Sequence, residues 1–188
     1  MRTVSPHEAV AALRAGNVAL VPTETVVGLV AAESGLPRVR GIKGRDANKP
    51  IALLCPSTEE AFGLAANVPP LARELAELYW PGPLTLVLDL PSGGTIGVRV
   101  PAGKAVRELL TAYGGPLYAT SANLSGEPAR AAPDEVDPRV LEAVDVVVRG
   151  DSGSGEASAV VDLSGGKVRL LRATRDLSTQ NLKSLADE

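Results

Sequence analysis

Short apolar runs alternate along the chain with capping residues, prolines and glycines, and this pattern predicts its helices. Ser5-Pro6-His7-Glu8 combines an N-cap serine with a glutamate at the third helical position, a capping box that begins the first helix. The same arrangement recurs at Ser57, and Trp80-Pro81 ends another helical segment. Residues 26–32 are apolar, and we predict a helix that begins just after Thr25. The predicted helices span 6–15, 26–32, 37–43, 58–66, 69–79, 102–113 and 138–143.

The other apolar runs are short, rich in Val, Leu and Ile, and bounded by turn residues, which is typical of buried strands. They span 18–21, 51–55, 84–90, 95–100, 117–120, 144–149, 158–163 and 167–172. Strands and helices mix without strict alternation, so the predicted fold class is α/β, a single domain with an open, twisted, mixed sheet. We expect this domain over residues 1–175 and a loosely held polar tail over 176–188.

Composition and charge narrow the class of protein. The 188 residues are 45% hydrophobic and 22% charged with a net charge of −3, so nothing draws the whole chain to nucleic acid or membranes. A single cysteine, Cys55, excludes an internal disulfide and Cys-rich zinc sites. A single histidine, His7, gives little support to Ser-His-Asp or Cys-His catalysis. The sequence has no apolar run of transmembrane length and no signal-peptide layout, so we expect a cytoplasmic protein.

The common nucleotide-binding motifs are absent from the sequence. Gly165-Gly166-Lys167 is followed by Val and lacks the upstream glycine of a P-loop. Gly153-Ser154-Gly155 lacks the third glycine of the dinucleotide-binding pattern. A nucleotide that binds to this chain must therefore be held by other residues.

Two polar stretches in the first fifty residues could hold a small polar ligand. In VPTETVVGL (21–29), a buried strand ends in two threonines that flank a glutamate, where ligands often bind in α/β sheets. One of the threonines could instead simply cap the next helix. In IKGRDANKP (42–50), Lys43, Arg45 and Lys49 could bind phosphate oxygens, or they could form an ordinary solvated turn.

Two further stretches offer hydrogen-bonding side chains at strand ends. ATSANLSG (119–126) places Ser121, Asn123 and Ser125 after a strand, where they could bind an anion or a base, or form a hydrogen-bonded turn. In TIGVRVP (95–101), alternation directs Arg99 to the face opposite the β-branched residues. Arg99 could clamp a substrate carboxylate, or it could lie on an edge strand.

Taken together and in this order, these stretches resemble the YrdC/TsaC family of threonylcarbamoyl-AMP synthases. The resemblance extends over about residues 5–175 and implies an open twisted α/β sheet with flanking helices and a large, positively lined concave cavity. The matching motifs are PTET, the Lys43-x-Arg45 pair, WPGPLTLVL (80–88), GVRVP (97–101), TSANLSG (120–126), ASAVVDL (157–163) and LLR (170–172).

The resemblance implies a nucleotidyltransferase that makes L-threonylcarbamoyl-adenylate from L-threonine, bicarbonate or CO₂, and ATP, with release of pyrophosphate. Mg²⁺ is the usual partner of the ATP. A separate transferase complex then moves the threonylcarbamoyl group to position 37 of tRNA. Members of the family also bind RNA, and the resemblance implies no membrane contact.

The residues that match the family motifs form two implied groups, with no protein nucleophile and no direct metal ligand. L-Threonine is implied to contact Thr25, Arg99, Ser121 and Ser158, with Arg99 on its carboxylate. ATP or the adenylate is implied to contact Lys43, Arg45, Lys49, Thr95, Asn123 and Arg172.

The chain also departs from the family pattern. Val27 stands where a Tyr is usual, Asp46 where a Pro is usual, and Ala131 where a Thr is common. These departures leave two alternatives: a non-catalytic RNA-binding or regulatory relative, and an enzyme that adenylates a carbamoyl group taken from carbamoyl phosphate. The acidic charge and few aromatics disfavour the first alternative. The second usually has additional domains, which we do not expect here.

Overall fold

The computed structural model describes residues 2–44 and 50–186, and within these ranges it describes side chains up to Leu182. Arg45, Asp46 and Lys49 lie outside the described residues, so the roles predicted for them stay predictions. The helices are α1 (Pro6–Arg14), α2 (Leu36–Lys43), α3 (Thr58–Gly63), α4 (Pro70–Tyr79), α5 (Lys104–Tyr113), α6 (Pro138–Ala143) and α7 (Thr179–Ala186). The strands are β1 (Arg2–Val4), β2 (Val18–Val21), β3 (Gly28–Ala31), β4 (Ala52–Leu54), β5 (Leu84–Asp89), β6 (Thr95–Arg99), β7 (Leu117–Ser121), β8 (Val146–Val148), β9 (Ala159–Asp162) and β10 (Arg169–Arg172).

The predicted caps are present at the two serines. The hydroxyl of Ser5 accepts a hydrogen bond from the backbone N–H of Glu8 at 3.3 Å, and the Glu8 carboxylate accepts one from Ser5 N at 2.8 Å. The hydroxyl of Ser57 accepts from Glu60 N at 3.2 Å, which is the N-cap bond, and of the two serines Ser5 alone is described with the reciprocal bond of a capping box. These side chains satisfy backbone donors that the first turn of a helix leaves unpaired, which is why both helices begin where the sequence predicts.

The ten strands form one mixed sheet. Their order is β1-β8-β2-β3-β7-β4-β6-β5-β9-β10, so β1 and β10 are its edges. Neighbouring strands are parallel in the pairs β1–β8, β2–β8, β4–β6 and β5–β9, and antiparallel in the other five. This confirms the predicted α/β class with a mixed sheet and flanking helices.

Helices cover one face of the sheet on both of its halves. Helices α2 and α6 pack on β2 and β3 through a cluster that includes Leu20, Leu29 and Val39. Helices α3 and α4 pack on β5, β6 and β9 through a second cluster that includes Leu75 and Leu86. The alternate residues of these strands are buried there, as expected for strands whose successive side chains point to opposite faces.

The opposite face is covered by helices on one half. Helices α1 and α5 pack on β2, β3, β7 and β8 through a third cluster that includes Leu13, Leu109 and Leu117. Leu54 belongs to this cluster and pairs in register with Arg99, so Arg99 lies on the same face. Beyond these helices the sheet presents polar side chains and small residues, and this is the area in which the candidate site lies.

The helix predicted over 26–32 is wrong, because residues 28–31 form strand β3. The strand pairs with β2 on one side and β7 on the other, and all four of its residues are buried. An apolar run this short has no period that separates a buried strand from a buried helix. Pairing on both sides satisfies its backbone groups and decides the outcome.

The C-terminal residues are not a loosely held tail throughout, which corrects that prediction. Leu177 and Leu182 are only 1% and 4% exposed and belong to the cluster under α4, and α7 carries Leu182. Two leucines five residues apart supply enough apolar surface to hold a short segment on the core. The domain boundary expected at 175 stays a prediction.

None of the helices in the described residues is long and apolar enough to cross a membrane.

Candidate functional site

A cavity of about 350 Å³ lies on the half of the sheet face that α1 and α5 leave uncovered. Small residues on strands β3, β4, β6 and β7 contribute to its lining, namely Gly28, Ala52, Gly97 and Ala119. Because these side chains are short or absent, a ligand can approach the sheet closely. The predicted site residues that line it are Thr25, Thr95, Arg99, Ser121, Ser158 and Arg172.

Arg99 is buried at the wall of this cavity. Its Nε donates to the carbonyl oxygen of Gly82 at 3.0 Å, and its Nη2 donates to Glu24 Oε1 at 2.5 Å and to Thr25 Oγ1 at 3.1 Å. Gly82 is needed here, since a Cβ would lie 2.3 Å from the last carbonyl oxygen of α4. Strand β6 lies between β4 and β5, so the alternative of an edge arginine is wrong.

Glu24 is the charged partner of Arg99 at this wall. Its second carboxylate oxygen accepts a hydrogen bond from the backbone N–H of Gly103 at 2.8 Å, directly before α5. Burial raises the pKa of Glu24, but the charge of Arg99 and these hydrogen bonds outweigh it, and the pKa lies below its usual value of 4.5. The carboxylate therefore stays ionised and fixes the plane of the guanidinium.

Thr23 and Thr25 are both buried in the turn that follows β2. Their hydroxyl oxygens lie 2.9 Å apart, and Thr23 Oγ1 also donates to the carbonyl oxygen of Val26 at 2.7 Å. No helix follows this turn, so the alternative of a helix-capping threonine is wrong. The turn is packed against Gly153, where a Cβ would lie 2.3 Å from Thr25 O.

Ser158, Thr85 and Arg172 form a second polar group in the cavity. Arg172 donates from Nε to Ser158 O at 2.5 Å and from Nη2 to Ser158 Oγ at 3.2 Å. Ser158 Oγ lies 3.0 Å from Thr85 Oγ1. Thr85 lies on β5, and Ser158 lies directly before β9. These two strands are parallel neighbours, and their pairing brings the two hydroxyls together.

The cavity carries more positive than negative charge. Desolvation lowers the pKa of Arg172, and the charge of Arg99 lowers it further. Glu24 neutralises Arg99, whereas the described contacts of Arg172 are to the neutral groups of Ser158. No Asp or Glu is among the described residues that line the cavity. An anionic ligand would relieve the mutual repulsion of the two arginines.

Lys43 and Asn123 are not among the lining residues of this cavity. Lys43 is 4% exposed, and its Nζ donates to Ser121 O at 2.6 Å, Asn123 O at 2.8 Å and Asn123 Oδ1 at 3.2 Å. Asn123 Nδ2 donates to the carbonyl oxygens of Leu124 and Glu127, the local bonding of a turn. Lys43 is thus not a solvated cation, and it ties the end of α2 to the loop after β7.

The sequence does not identify three residues that contact the predicted site residues, namely Thr23, Glu24 and Thr85. Thr85 has a signal in the sequence, because it alternates with Leu84 and Leu86 and must face the opposite side of β5. Glu24 has none, because its partner Arg99 is 75 residues away along the chain.

The described residues that line the cavity carry hydroxyl groups but no carboxylate that could bind Mg²⁺. In the described parts of the chain, no cluster of three potential metal ligands occurs. Mg²⁺ prefers carboxylates together with substrate phosphates. The described residues therefore do not form a resident magnesium site, and an ion that accompanies ATP would be held by the triphosphate.

Comparisons with known proteins agree with the resemblance drawn from the motifs. Residues 11–174 match the family model Sua5/YciO/YrdC, described as "Telomere recombination". A putative threonylcarbamoyl-AMP synthase of Mycobacterium leprae is 36% identical over 178 residues, which cover 88% of this chain and 80% of that protein. The threonylcarbamoyl-AMP synthase of Stenotrophomonas maltophilia is 35% identical over 185 residues, which cover 89% of this chain and 98% of that protein.

Solved structures show the same likeness. The structure of Pyrococcus abyssi Sua5 complexed with L-threonine has a TM-score of 0.85 and 29% identity, and the match covers 98% of this chain but 60% of that one. Escherichia coli YciO has a TM-score of 0.79 at 24% identity, which shows a common fold alone. The match to the family model extends over most of the sequence, and the fold is shared with a solved member. The chain belongs to the Sua5/YciO/YrdC family.

Proposed function

We propose that this chain is an L-threonylcarbamoyl-adenylate synthase, a nucleotidyltransferase that uses L-threonine, bicarbonate or CO₂, and ATP. The observation that carries the proposal is the convergence of Thr25, Arg99, Ser121, Ser158 and Arg172 on one cavity in which positive charge is in excess. The relatives named threonylcarbamoyl-AMP synthases support it. So does the L-threonine complex of the Pyrococcus relative.

The reaction forms two bonds. The amine nitrogen of L-threonine attacks the carbon of CO₂ and loses a proton, giving a carbamate. With bicarbonate, the amine proton leaves together with the hydroxyl group as water. A carbamate oxygen then attacks the α-phosphorus of ATP, and the bond to the β-phosphate oxygen breaks with its electron pair leaving on pyrophosphate. No step needs a protein nucleophile. The protein has to align two anions that repel each other and stabilise the charge of the transition state.

The amino-acid pocket is built around Arg99. Its described contacts use three of the five N–H donors of the guanidinium, all from Nε and Nη2. The two donors of Nη1 suit a substrate carboxylate, which a guanidinium binds with directional, charge-assisted hydrogen bonds. Thr25, Ser121 and Ser158 supply the hydroxyls of the same pocket.

Arg172 and Thr95 are the proposed contacts to ATP or the adenylate within the cavity. The described contacts of Arg172 include no carboxylate, so its positive charge is not neutralised by them. Such a charge suits the α-phosphate or the departing pyrophosphate. Lys43, Arg45, Lys49 and Asn123 complete the proposed nucleotide site. For Lys43 we propose a second duty, because its ammonium also holds the loop that carries Ser121 and Asn123.

Mg²⁺ enters with ATP, bound by its phosphates. The product is passed to a separate transferase complex that modifies position 37 of tRNA, in the cytoplasm. A contact with tRNA belongs to the same proposal and would require a local basic surface.

The decisive experiment measures pyrophosphate release from ATP with and without L-threonine and bicarbonate. We expect release that depends on both, and a loss of at least about 100-fold in kcat/KM for L-threonine in Arg99→Ala. Arg169→Ala is the matched control, because Arg169 pairs with Asp162 and is not part of the cavity lining. Absence of threonine-dependent release from folded protein would refute the proposal, and tight tRNA binding without adenylation would favour a non-catalytic relative.

A further inference from the structure

A chain of buried hydrogen bonds runs from Arg99 through two threonines to the backbone. Arg99 Nη2 donates to Thr25 Oγ1, Thr25 Oγ1 lies 2.9 Å from Thr23 Oγ1, and Thr23 Oγ1 lies 2.7 Å from the carbonyl oxygen of Val26. Thr23 Oγ1 also accepts from the backbone N–H of Thr25 at 3.2 Å. All three side chains are buried.

The protons in this chain can point in only one direction. A carbonyl oxygen is only an acceptor, so the single hydroxyl proton of Thr23 is donated to Val26 O. Between the two threonines, Thr25 must then be the donor and Thr23 the acceptor. Arg99 has donors only, so Thr25 Oγ1 accepts from it. The sequence of donation is therefore Arg99 to Thr25, Thr25 to Thr23, and Thr23 to Val26.

This direction determines what Thr25 can offer to a ligand. Its proton is engaged by Thr23 and one lone pair by Arg99, so its remaining hydrogen-bonding capacity is one acceptor lone pair. Thr25 lines the cavity beside Arg99, whose Nη1 offers only donors. One acceptor beside two donors matches the amine N–H and the carboxylate of an α-amino acid.

We propose that Thr23 is a positioning residue that makes Thr25 an acceptor for the amine of the amino-acid substrate. Thr23 also lines the cavity, but its hydroxyl is fully engaged by Val26 O, Thr25 Oγ1 and Thr25 N. It therefore acts through Thr25 and offers no hydrogen bond of its own to the substrate. This inference rests on the proposed function for the identity of the amino acid. It adds the reason why the site selects a ligand that has both an amine and a carboxylate.

The test compares Thr23→Val, which keeps the shape but cannot accept a hydrogen bond, with Thr23→Ser, which keeps the hydroxyl. L-Threonine binding is measured by calorimetry. The binding of (R)-3-hydroxybutyrate, which lacks the amine, is measured by its competition with L-threonine. We expect Thr23→Val to weaken L-threonine binding about tenfold, to leave hydroxybutyrate binding within about twofold, and to leave the KM for ATP unchanged. Thr23→Ser should restore the wild-type preference.

Ser164→Ala is the control, because Ser164 is another buried hydroxyl, bonded to Asp162 at 2.6 Å and outside the cavity. Equal losses for both ligands in Thr23→Val would show a merely structural role and overturn the proposal. So would unchanged L-threonine binding in a folded Thr23→Val protein.

The ligand-free protein supplies an independent readout by NMR. The hydroxyl proton of Thr25 should be protected from exchange in the wild type and in Thr23→Ser, and unprotected in Thr23→Val. Retained protection in Thr23→Val would overturn the inferred direction of donation. If the wild type fails to bind L-threonine, the proposed function is refuted, and this NMR comparison still decides whether Thr23 orients Thr25.

Discussion

Glu24 and Arg99 form a largely buried ion pair, with 2.5 Å between Glu24 Oε1 and Arg99 Nη2. The two residues come from the turn after β2 and from the end of β6, on strands that are not neighbours in the sheet. The pair is extended to α5 by the hydrogen bond from Gly103 N. One carboxylate thus joins a strand end, a turn and a helix start at the wall of the cavity.

Replacing Glu24 by Gln should lower the free energy of unfolding by about 1–3 kcal/mol at pH 7, because Arg99 keeps its charge and loses its partner. The folded-state pKa of Glu24 is below its usual value of 4.5, so the stabilisation is complete above pH 4.5 and is lost as the pH falls through the folded-state pKa. Urea unfolding from pH 7 downward should show the wild type and Glu24→Gln converging. Exposed Glu74→Gln is the control, and a difference that persists at low pH would contradict the ionic origin.

Replacing Lys43 by Ala should destabilise the protein by about 3 kcal/mol or more, because three oxygen acceptors at Ser121 and Asn123 lose their donor. We expect the KM for ATP and the KM for L-threonine to rise together, since the same loop carries groups proposed for both sites. Thermal unfolding and initial-rate kinetics measure these effects, with exposed Lys167→Ala as the control. A rise in the KM for ATP alone, at unchanged stability, would indicate a phosphate ligand with no role in holding the loop.

Replacing Leu177 by Ala should cost about 2–4 kcal/mol of folding free energy, because the side chain is fully buried under α4. Leu78→Ala is the matched control, since Leu78 is 61% exposed and its truncation should change stability by less than about 0.5 kcal/mol. Chemical denaturation of the two variants measures the difference. Equal stabilities would mean that the C-terminal segment is a loose tail after all.

Cys55 should resist alkylation in the folded protein. Desolvation raises the pKa of its thiol to about 12, with a further contribution from the charge of Glu60. At pH 8 roughly one thiol in ten thousand is then ionised, and the thiolate is the reactive form. Mass spectrometry after iodoacetamide treatment should find Cys55 unmodified in native protein and modified in urea. Rapid labelling of the native protein would contradict its burial.

The sequence predicted the fold class and most of the elements correctly because their signals are local. A capping serine, a proline at the start of a helix or a short run of β-branched residues acts over a few positions. Predictions from such signals need no tertiary contact. The strand 28–31 was assigned wrongly because its conformation depends on pairing with β2 and β7. The segment after 175 was misjudged because two leucines carry its packing in an otherwise polar stretch.

For the candidate site too, the sequence indicates some of the residues, and only the structure shows their partners. The motifs named Thr25, Thr95, Arg99, Ser121, Ser158 and Arg172, and alternation along β6 determined which face Arg99 would occupy. Only the tertiary structure decided that Glu24 neutralises Arg99, that Lys43 binds loop carbonyls, and that Thr23 orients Thr25. Residue type and spacing determine what a side chain can do, but its partner is set by the order of the strands, which brings distant parts of the chain within hydrogen-bonding distance.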